Sequence, residues 1–377
     1  MKTLLRGALH GAGAADAVLV EGEVITWVGT GRPPQRPDDE IKVGPGETIV
    51  PGFIDLQVNG YAGHDAADGA DAIAAISEAL PATGVTAFLP TIISAPVEVG
   101  AEFTAAVGAA AEASGARVLG AHVEGPFLNP SFHGAHLRSN LAEPTAGNVD
   151  IVVAARPRLV TLAPELKGGL EAIQRLHQAG VIVSAGHTGA DFEHGRKAIE
   201  AGVTFATHVY NAMPQVHHRR PGIALALLLD PRVTAGLIAD GEHVHPAVCE
   251  QLVRVKGAAR IALTTDQVAA AGRPAGTFTL SGRTVISDGH VVKLQDGTLA
   301  GSAATMPDLV RLMARLPGMS AARAIGLASA IPARVLGERH RLGRISEGAC
   351  ADLVVLDAEM RPRLTMIRGV VKFRRSS

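Results

Sequence analysis

"FIDLQVNG", residues 53 to 60, combines two patterns that ordinarily exclude each other. Phe53, Ile54, Leu56 and Val58 suit a strand covered on both faces, as in a parallel sheet, yet Asp55, Gln57 and Asn59 fall on alternate positions and so share one face. A buried face bearing one carboxylate and two neutral amides needs polar partners on other strands. The stretch therefore predicts a covered strand whose one side looks into a polar centre.

Seven further β-rich runs follow: "VTAFLP" 85–90, "RVLGAHVE" 117–124, "RLVTLAP" 158–164, "VIVSAGH" 181–187, "VTFATH" 203–208, "VTAGLIAD" 233–240 and "RIALTTD" 260–266. Ala-rich stretches of helical length separate them, and glycines stop two of these, in "QAG" before Val181 and "EAG" before Val203. Eight strands alternating with helices predict an α/β chain folded as a (β/α)8 TIM-like barrel. Asn59, Glu124, His187, His208, Asp240 and Asp266 all stand at the C-terminal ends of their runs, the rim where such barrels keep their chemistry.

Residues 1–50 and 343–377 read as strands and turns, and are expected to pair as one small β-sandwich flanking a barrel over 51–342. Within the barrel, 274–297 reads as inserted β-hairpins, with Asp288-Gly289 and Asp296-Gly297 as turns. The opening "MKTLLRGALHGAGAADA" imitates a signal peptide, but Arg6 and His10 interrupt its apolar part and it reads as a strand.

Bulk composition excludes several functions. Lys plus Arg (35) nearly cancels Asp plus Glu (36), so no net field draws the chain to nucleic acid or an anionic membrane. Aromatic residues at 3% leave few platforms for stacking bases, and the longest apolar run, "GIALALLL" at 222–229, is too short for a bilayer. Two distant cysteines, Cys249 and Cys350, fit reduced thiols in a cytoplasmic protein. No G-x-x-x-x-G-K-[ST] loop is present, and "GAGAAD" at 11–16 lacks the last glycine of a dinucleotide turn.

A closed barrel brings Glu124, His187 and His208 to one cavity. One carboxylate and two imidazoles form a zinc-type ligand set with a fourth position open to water. Taken singly, each reads more readily as a hydrogen-bonded core residue; three at equivalent strand ends do not. Asp266, ending the eighth run, is placed to take and return a proton, the alternative being a cap for the next segment. His243-Val244-His245 is a rival metal pair, although Pro246 after it suits a helix start.

"PGFIDLQVNG", "HVEGPFLN" followed by "GAH", "GHTGA", "THVYNAM", "DGEHVHP", "TTD" and "LAGS" together resemble the N-acetylglucosamine-6-phosphate deacetylases, a branch of the metal-dependent amidohydrolase superfamily, over about residues 49–306. The resemblance implies that Glu124, His187 and His208 bind the metal, that Asp266 is the acid/base and that His136 polarises the acetyl carbonyl, with His133 nearby. It implies a substrate contact from His243, and a phosphate grip from Arg219 in "HHRRPG" together with Asn211 and the backbone around Ala212, Arg219 reaching the neighbouring subunit's site in a homodimer. A solvated basic loop is the plainer reading of that cluster.

Where most of the superfamily carries His-x-His for a second metal, this chain has Gln57 and Asn59, neutral amides that are poor zinc ligands. One divalent ion per subunit is expected, zinc first, with iron, manganese or cobalt able to use the same ligands. Gln57 and Asn59 then act as hydrogen-bonding supports and Asp55 as a strand partner. The implied reaction is hydrolysis of the N-acetyl group of N-acetylglucosamine 6-phosphate to glucosamine 6-phosphate and acetate, in amino-sugar metabolism. Competing readings are the same chemistry on N-acetylgalactosamine 6-phosphate or a cyclic amide, and a non-catalytic barrel that binds a sugar phosphate. The part played by Gln267, beside the acid/base, stays open.

Overall fold

In a computed structural model, which describes residues 1–376, eight parallel strands follow one another around a barrel. They are β1 (Phe53–Val58), β2 (Val85–Ile92), β3 (His122–Glu124), β4 (Leu159–Leu162), β5 (Ile182–Ala185), β6 (Val203–Ala206), β7 (Thr234–Leu237) and β8 (Ile261–Leu263). Each leads into a helix, from Ala70–Ala79 after β1 to Met306–Ala314 after β8. The barrel expected from the alternating pattern is the one observed.

The mixed character of β1 follows from its neighbours. Ile54 and Leu56 join a buried cluster with Ala333 and Leu336, because the helices Ala321–Ala328 and Ala330–Val335 pack across β1 and β8. Asp55 and Gln57 alternate with them. Between β8 and β1 the backbone ladder thins to one bridge, Val58 with Gln267, where the Gln267 carbonyl accepts from both Asn59 and Gly60 N–H. Deeper in the seam the Asp55 carboxylate takes the place of ladder bonds. It accepts from Thr264 Oγ1 at 3.1 Å, Thr265 N at 3.2 Å and Thr265 Oγ1 at 2.6 Å. Burial pushes this carboxyl up to about 6, and those hydrogen bonds pull against the rise.

The third run is not one continuous strand. Arg117–Val118 and β3 both pair with β2, but Leu119 to Ala121 break the ladder, and the Ala121 carbonyl accepts from both Arg158 and Leu159 N–H. Gly120 causes the break: its φ of 118° is closed to ordinary side chains, and a Cβ there would stand 2.8 Å from the Arg158 Cβ.

After β8 the chain forms a four-stranded antiparallel sheet, Gly276–Leu280, Arg283–Ser287, Val291–Lys293 and Leu299–Ser302. Its first turn lies at Ser281-Gly282, both at positive φ, a turn the sequence reading did not single out. The terminal segments form two sheets packed face to face, with Leu5, Val18 and Ile25 of one against Ile49, Leu353 and Met366 of the other. A bidentate ion pair from Arg117 Nε and Nη2 to Asp352, at 2.7 and 3.2 Å, ties these sheets to the barrel. Among the described residues no helix is long and apolar enough to cross a membrane.

Replacing Asp55 by Ala strands the Thr265 N–H and both hydroxyls in the seam. The expected loss is about 2–4 kcal/mol, read as a lowered urea midpoint, with Asp55→Asn losing less because its amide oxygen still accepts. An unchanged midpoint for the alanine variant contradicts this account of the closure.

Candidate active site

A cavity of about 370 Å³ opens at the C-terminal ends of the strands. Its lining includes Asn59, Glu124, His136, His187, His208, Asn211, Ala212, His243 and Asp266. Gln57 lies buried beneath. Arg219 is not among the lining residues; it stands exposed on a loop braced by a His217–Arg220 bridge and by its own N–H on His217 Nδ1.

At the floor, Glu124 Oε1 lies 2.8 Å from His208 Nε2 and 3.3 Å from His187 Nε2, and the two nitrogens are 3.1 Å apart. His187 Nδ1 faces the Phe132 carbonyl at 2.9 Å, an oxygen that can only accept. The proton of a neutral His187 is therefore on Nδ1, and Nε2 points a lone pair at a carboxylate oxygen and at a second imidazole nitrogen. That lone pair needs either a proton on His208 Nε2 or a cation between the three atoms. Four tetrahedral ligand atoms around zinc, at roughly 2.0–2.2 Å each, lie about 3.3–3.6 Å apart; the separations here, 2.8, 3.1 and 3.3 Å, reach only the lower end of that range. The donor set fits a divalent ion.

The charges tell the same story. Burial alone pushes the Glu124 carboxyl up, but His187 and His208 outweigh it and hold it well below the usual range. Burial likewise lowers His208, and Glu124 more than reverses the effect, leaving it raised. Among the described residues His208 Nδ1 has no partner, so nothing on that side fixes its tautomer.

His136 differs in kind. Its Nε2 is 3.7 Å from Glu124 Oε2, and Glu124, His136 and His187 present potential ligand atoms all within 4.8 Å of one another. However, the backbone N–H of Ser94 donates to His136 Nδ1 at 3.0 Å, with Ser94 Oγ at 2.9 Å from the same atom. A backbone N–H can only donate, so Nδ1 carries the lone pair. Burial, then His187, hold the ring well below its ordinary value and hence neutral. Its Nε2 bears a proton and faces the cavity as a donor rather than a ligand.

The neutral amides of β1 are spent on the carboxylates. Gln57 Nε2 donates to Glu124 Oε2 at 3.1 Å and Asn59 Nδ2 to Asp266 Oδ1 at 2.6 Å. Burial, then the charge of Glu124, raises Asp266 to about 7, against the pull of His208, His243 and Asn59. His243 Nδ1 lies 2.7 Å from Asp240 Oδ2, which leaves Nε2 to accept from a ligand. His245 caps the helix Pro246–Lys256 by accepting from Ala247 N, so His243 and His245 do not form a metal pair.

His187, His208, Ala212 and Asp266 all have positive φ, at 49°, 28°, 51° and 50°. Such strain at non-glycine residues marks positions the surroundings over-determine. Sequence reasoning missed Ser94, which orients His136. It also missed Leu280, Thr298, Leu299 and Gly301 of the inserted sheet, which wall the cavity. "LAGS" was the available signal: Ser302 N donates to the Asp266 carbonyl at 2.9 Å, bringing that strand against the acid/base position.

Both the sequence and the fold match known proteins. The model of the amidohydrolase family matches residues 48–372. An N-acetylgalactosamine-6-phosphate deacetylase of Escherichia coli O157:H7 is 39% identical, covering 86% of this chain and 87% of its own. An N-acetylglucosamine-6-phosphate deacetylase of Bos taurus is 38% identical, covering 89% and 86%. A solved mutant of the Mycobacterium smegmatis N-acetyl-D-glucosamine-6-phosphate deacetylase, in complex with N-acetyl-D-glucosamine-6-phosphate, superposes with a TM-score of 0.91 at 32% identity, over 99% of both chains.

The tautomers of His187 and His136 distinguish a cavity-facing nitrogen with a free lone pair from one that bears a proton. On purified protein, His208→Ala should lose stoichiometric zinc while His136→Gln keeps it. Loss of zinc from the His136 variant alone would reverse the assignment.

Proposed function

We propose, for a chain that belongs to the amidohydrolase family and within it to the N-acetylglucosamine-6-phosphate deacetylases, that it hydrolyses N-acetylglucosamine 6-phosphate to glucosamine 6-phosphate and acetate. The observation carrying this reading is the convergence of Glu124 Oε1, His187 Nε2 and His208 Nε2 opposite Asp266, with the His136 N–H facing the same space. Glu124, His187 and His208 hold one divalent ion per subunit, zinc in the first instance. Iron, manganese and cobalt accept the same donors. Such an ion supplies Lewis acidity, polarising a carbonyl and making a water more acidic.

The chain's own residues do the rest. His136 donates from Nε2 to the acetyl oxygen as charge gathers there, a contribution of about 2.7–4 kcal/mol for a donor of this kind. Asp266, held at Oδ1 by Asn59, takes a proton from the attacking water. The water oxygen bonds to the acyl carbon, the C–N bond breaks, and Asp266 returns the proton to the leaving nitrogen. The products are acetate and the free amine. Gln57 and Asn59 aim N–H groups at the two carboxylates, which disfavours a second cation between them. His243 takes a sugar hydroxyl, while Asn211 and the backbone around Ala212 hold the phosphate end.

Arg219, outside its own cavity, completes the phosphate site of the other subunit in a homodimer. In this reading residues 51–342 carry the chemistry, and 1–50 with 343–376 form the accessory sandwich; Ser377, the last residue of the expected second part, lies outside the described residues. Free Cys249 and Cys350 suit a reducing cytoplasm. The Escherichia coli relative favours one further reading, the same hydrolysis on N-acetylgalactosamine 6-phosphate.

Acetate release from both phosphorylated epimers, on zinc-loaded protein, tests the reaction and its preference together. Asp266→Asn should lower turnover by roughly 10²–10⁴-fold with zinc content unchanged, and an active variant excludes Asp266 as the base. Arg219→Ala should raise KM for the phosphorylated sugar and leave the unphosphorylated sugar unaffected; an unchanged KM removes Arg219 from the site.

A further inference from the structure

Glu165, in the segment after β4, belongs to no part of the chemistry above and does not line the cavity, yet three donors converge on its half-buried carboxylate. Gly189 N and Asn129 Nδ2 donate to Oε1 at 2.6 and 2.8 Å, and Thr188 Oγ1 donates to Oε2 at 2.5 Å. Thr188 and Gly189 immediately follow His187. Asn129 accepts Ser131 N on its own Oδ1 at 2.8 Å, starting the short helix Pro130–Phe132, and its N–H donates to the His187 carbonyl at 3.0 Å. The Phe132 carbonyl at the end of that helix is the one that fixes the His187 tautomer.

Glu165 thus contacts both segments that flank His187: the residues that follow it and the Asn129 turn that meets its ring. From one direction Glu165 holds the two residues that follow the strained φ of His187. From the other it holds Asn129, which starts the turn presenting the Phe132 oxygen. The packing leaves no slack: a Cβ on Gly189 would stand 2.7 Å from Phe132 Cε2 and 3.1 Å from Asn129 Nδ2. Thr188 is fully buried, and its Oγ1 also accepts Ala190 N at 3.0 Å, so its hydroxyl proton is directed to Glu165.

We propose that Glu165 is a positioning residue for the metal site: by clamping Asn129, Thr188 and Gly189 it fixes both the backbone and the tautomer of His187, and so sets the affinity for a divalent cation. The proposal rests on His187 being a metal ligand. Glutamine keeps an accepting oxygen for Gly189 and Asn129, and alanine keeps nothing.

The test is zinc affinity of the full-length protein, by competition with a chromophoric chelator, together with the visible spectrum of the cobalt-loaded form. Glu165→Ala should bind zinc roughly 10- to 100-fold more weakly and show an altered cobalt spectrum, with Glu165→Gln restoring most of both. Asn129→Asp is the second variant should the alanine protein fail to fold. It keeps the cap on Ser131 N but sets a carboxylate against Glu165, and should weaken zinc in the same sense. Wild-type zinc affinity in Glu165→Ala, or in Asn129→Asp if only that variant folds, would overturn the clamp while leaving the ligand set intact, provided His187→Ala loses zinc. Wild-type affinity in His187→Ala would instead remove the ligand reading, and the clamp with it.

Discussion

Glu124 is a carboxylate with 2% of its surface exposed, and the upper half of the barrel is arranged around its charge. Isolating an ion from water costs several kcal/mol unless partners replace the lost solvation. Here Gln57 supplies an N–H to one oxygen and two imidazoles crowd the other. Because Phe132 takes the only proton of neutral His187, the lone pair on its Nε2 is left to face a cation at this point. The fold therefore stores, in the placement of β1, β3, β5 and β6, an affinity for positive charge at one point.

Holding that point needs support from below and from the sides. Beneath it a polar layer crosses the barrel: His122 Nδ1 lies 3.1 Å from the Leu56 carbonyl and Nε2 lies 2.8 Å from Thr161 Oγ1, which continues to Thr207 Oγ1 at 2.7 Å and Ser184 Oγ at 2.6 Å. Burial lowers His122 to about 4, so this layer is neutral and adds no competing charge. At the seam, Asp55 performs for β1 and β8 what backbone pairs perform elsewhere. Against this rigid floor the positive φ values at His187, His208 and Asp266, each costing of order 1–3 kcal/mol, persist and aim three side chains inward.

The barrel and the convergence of Glu124, His187 and His208 were legible in the sequence for a simple reason. Covered strands read as apolar runs, and the residues that end them on the catalytic rim are polar where nothing local requires it: Glu124 after His122-Val123, His187 after "VSAG", Asp266 after "LTT". What stayed hidden depends on contacts between distant segments. Ser94 in "IISAP" looks like an ordinary loop serine until the 133–136 turn folds over it. Glu165 follows a proline in a loop, and only the approach of Asn129 and Gly189 gives it a task. Gly120 splits the third strand because Arg158 crowds it, a neighbour 38 positions away in sequence. Arg219 is proposed to act on another chain, and no pattern within this one records that contact.

The central claim is that three side chains share a single cation and that His136 stays outside its coordination sphere. Anomalous diffraction at the zinc edge, from crystals of the zinc-loaded protein, measures this directly. One peak per chain is expected, about 2.0–2.2 Å from a Glu124 oxygen, His187 Nε2 and His208 Nε2, with no second peak beside Gln57 and Asn59. A peak bonded to His136, or two peaks of equal height in each cavity, would contradict the account.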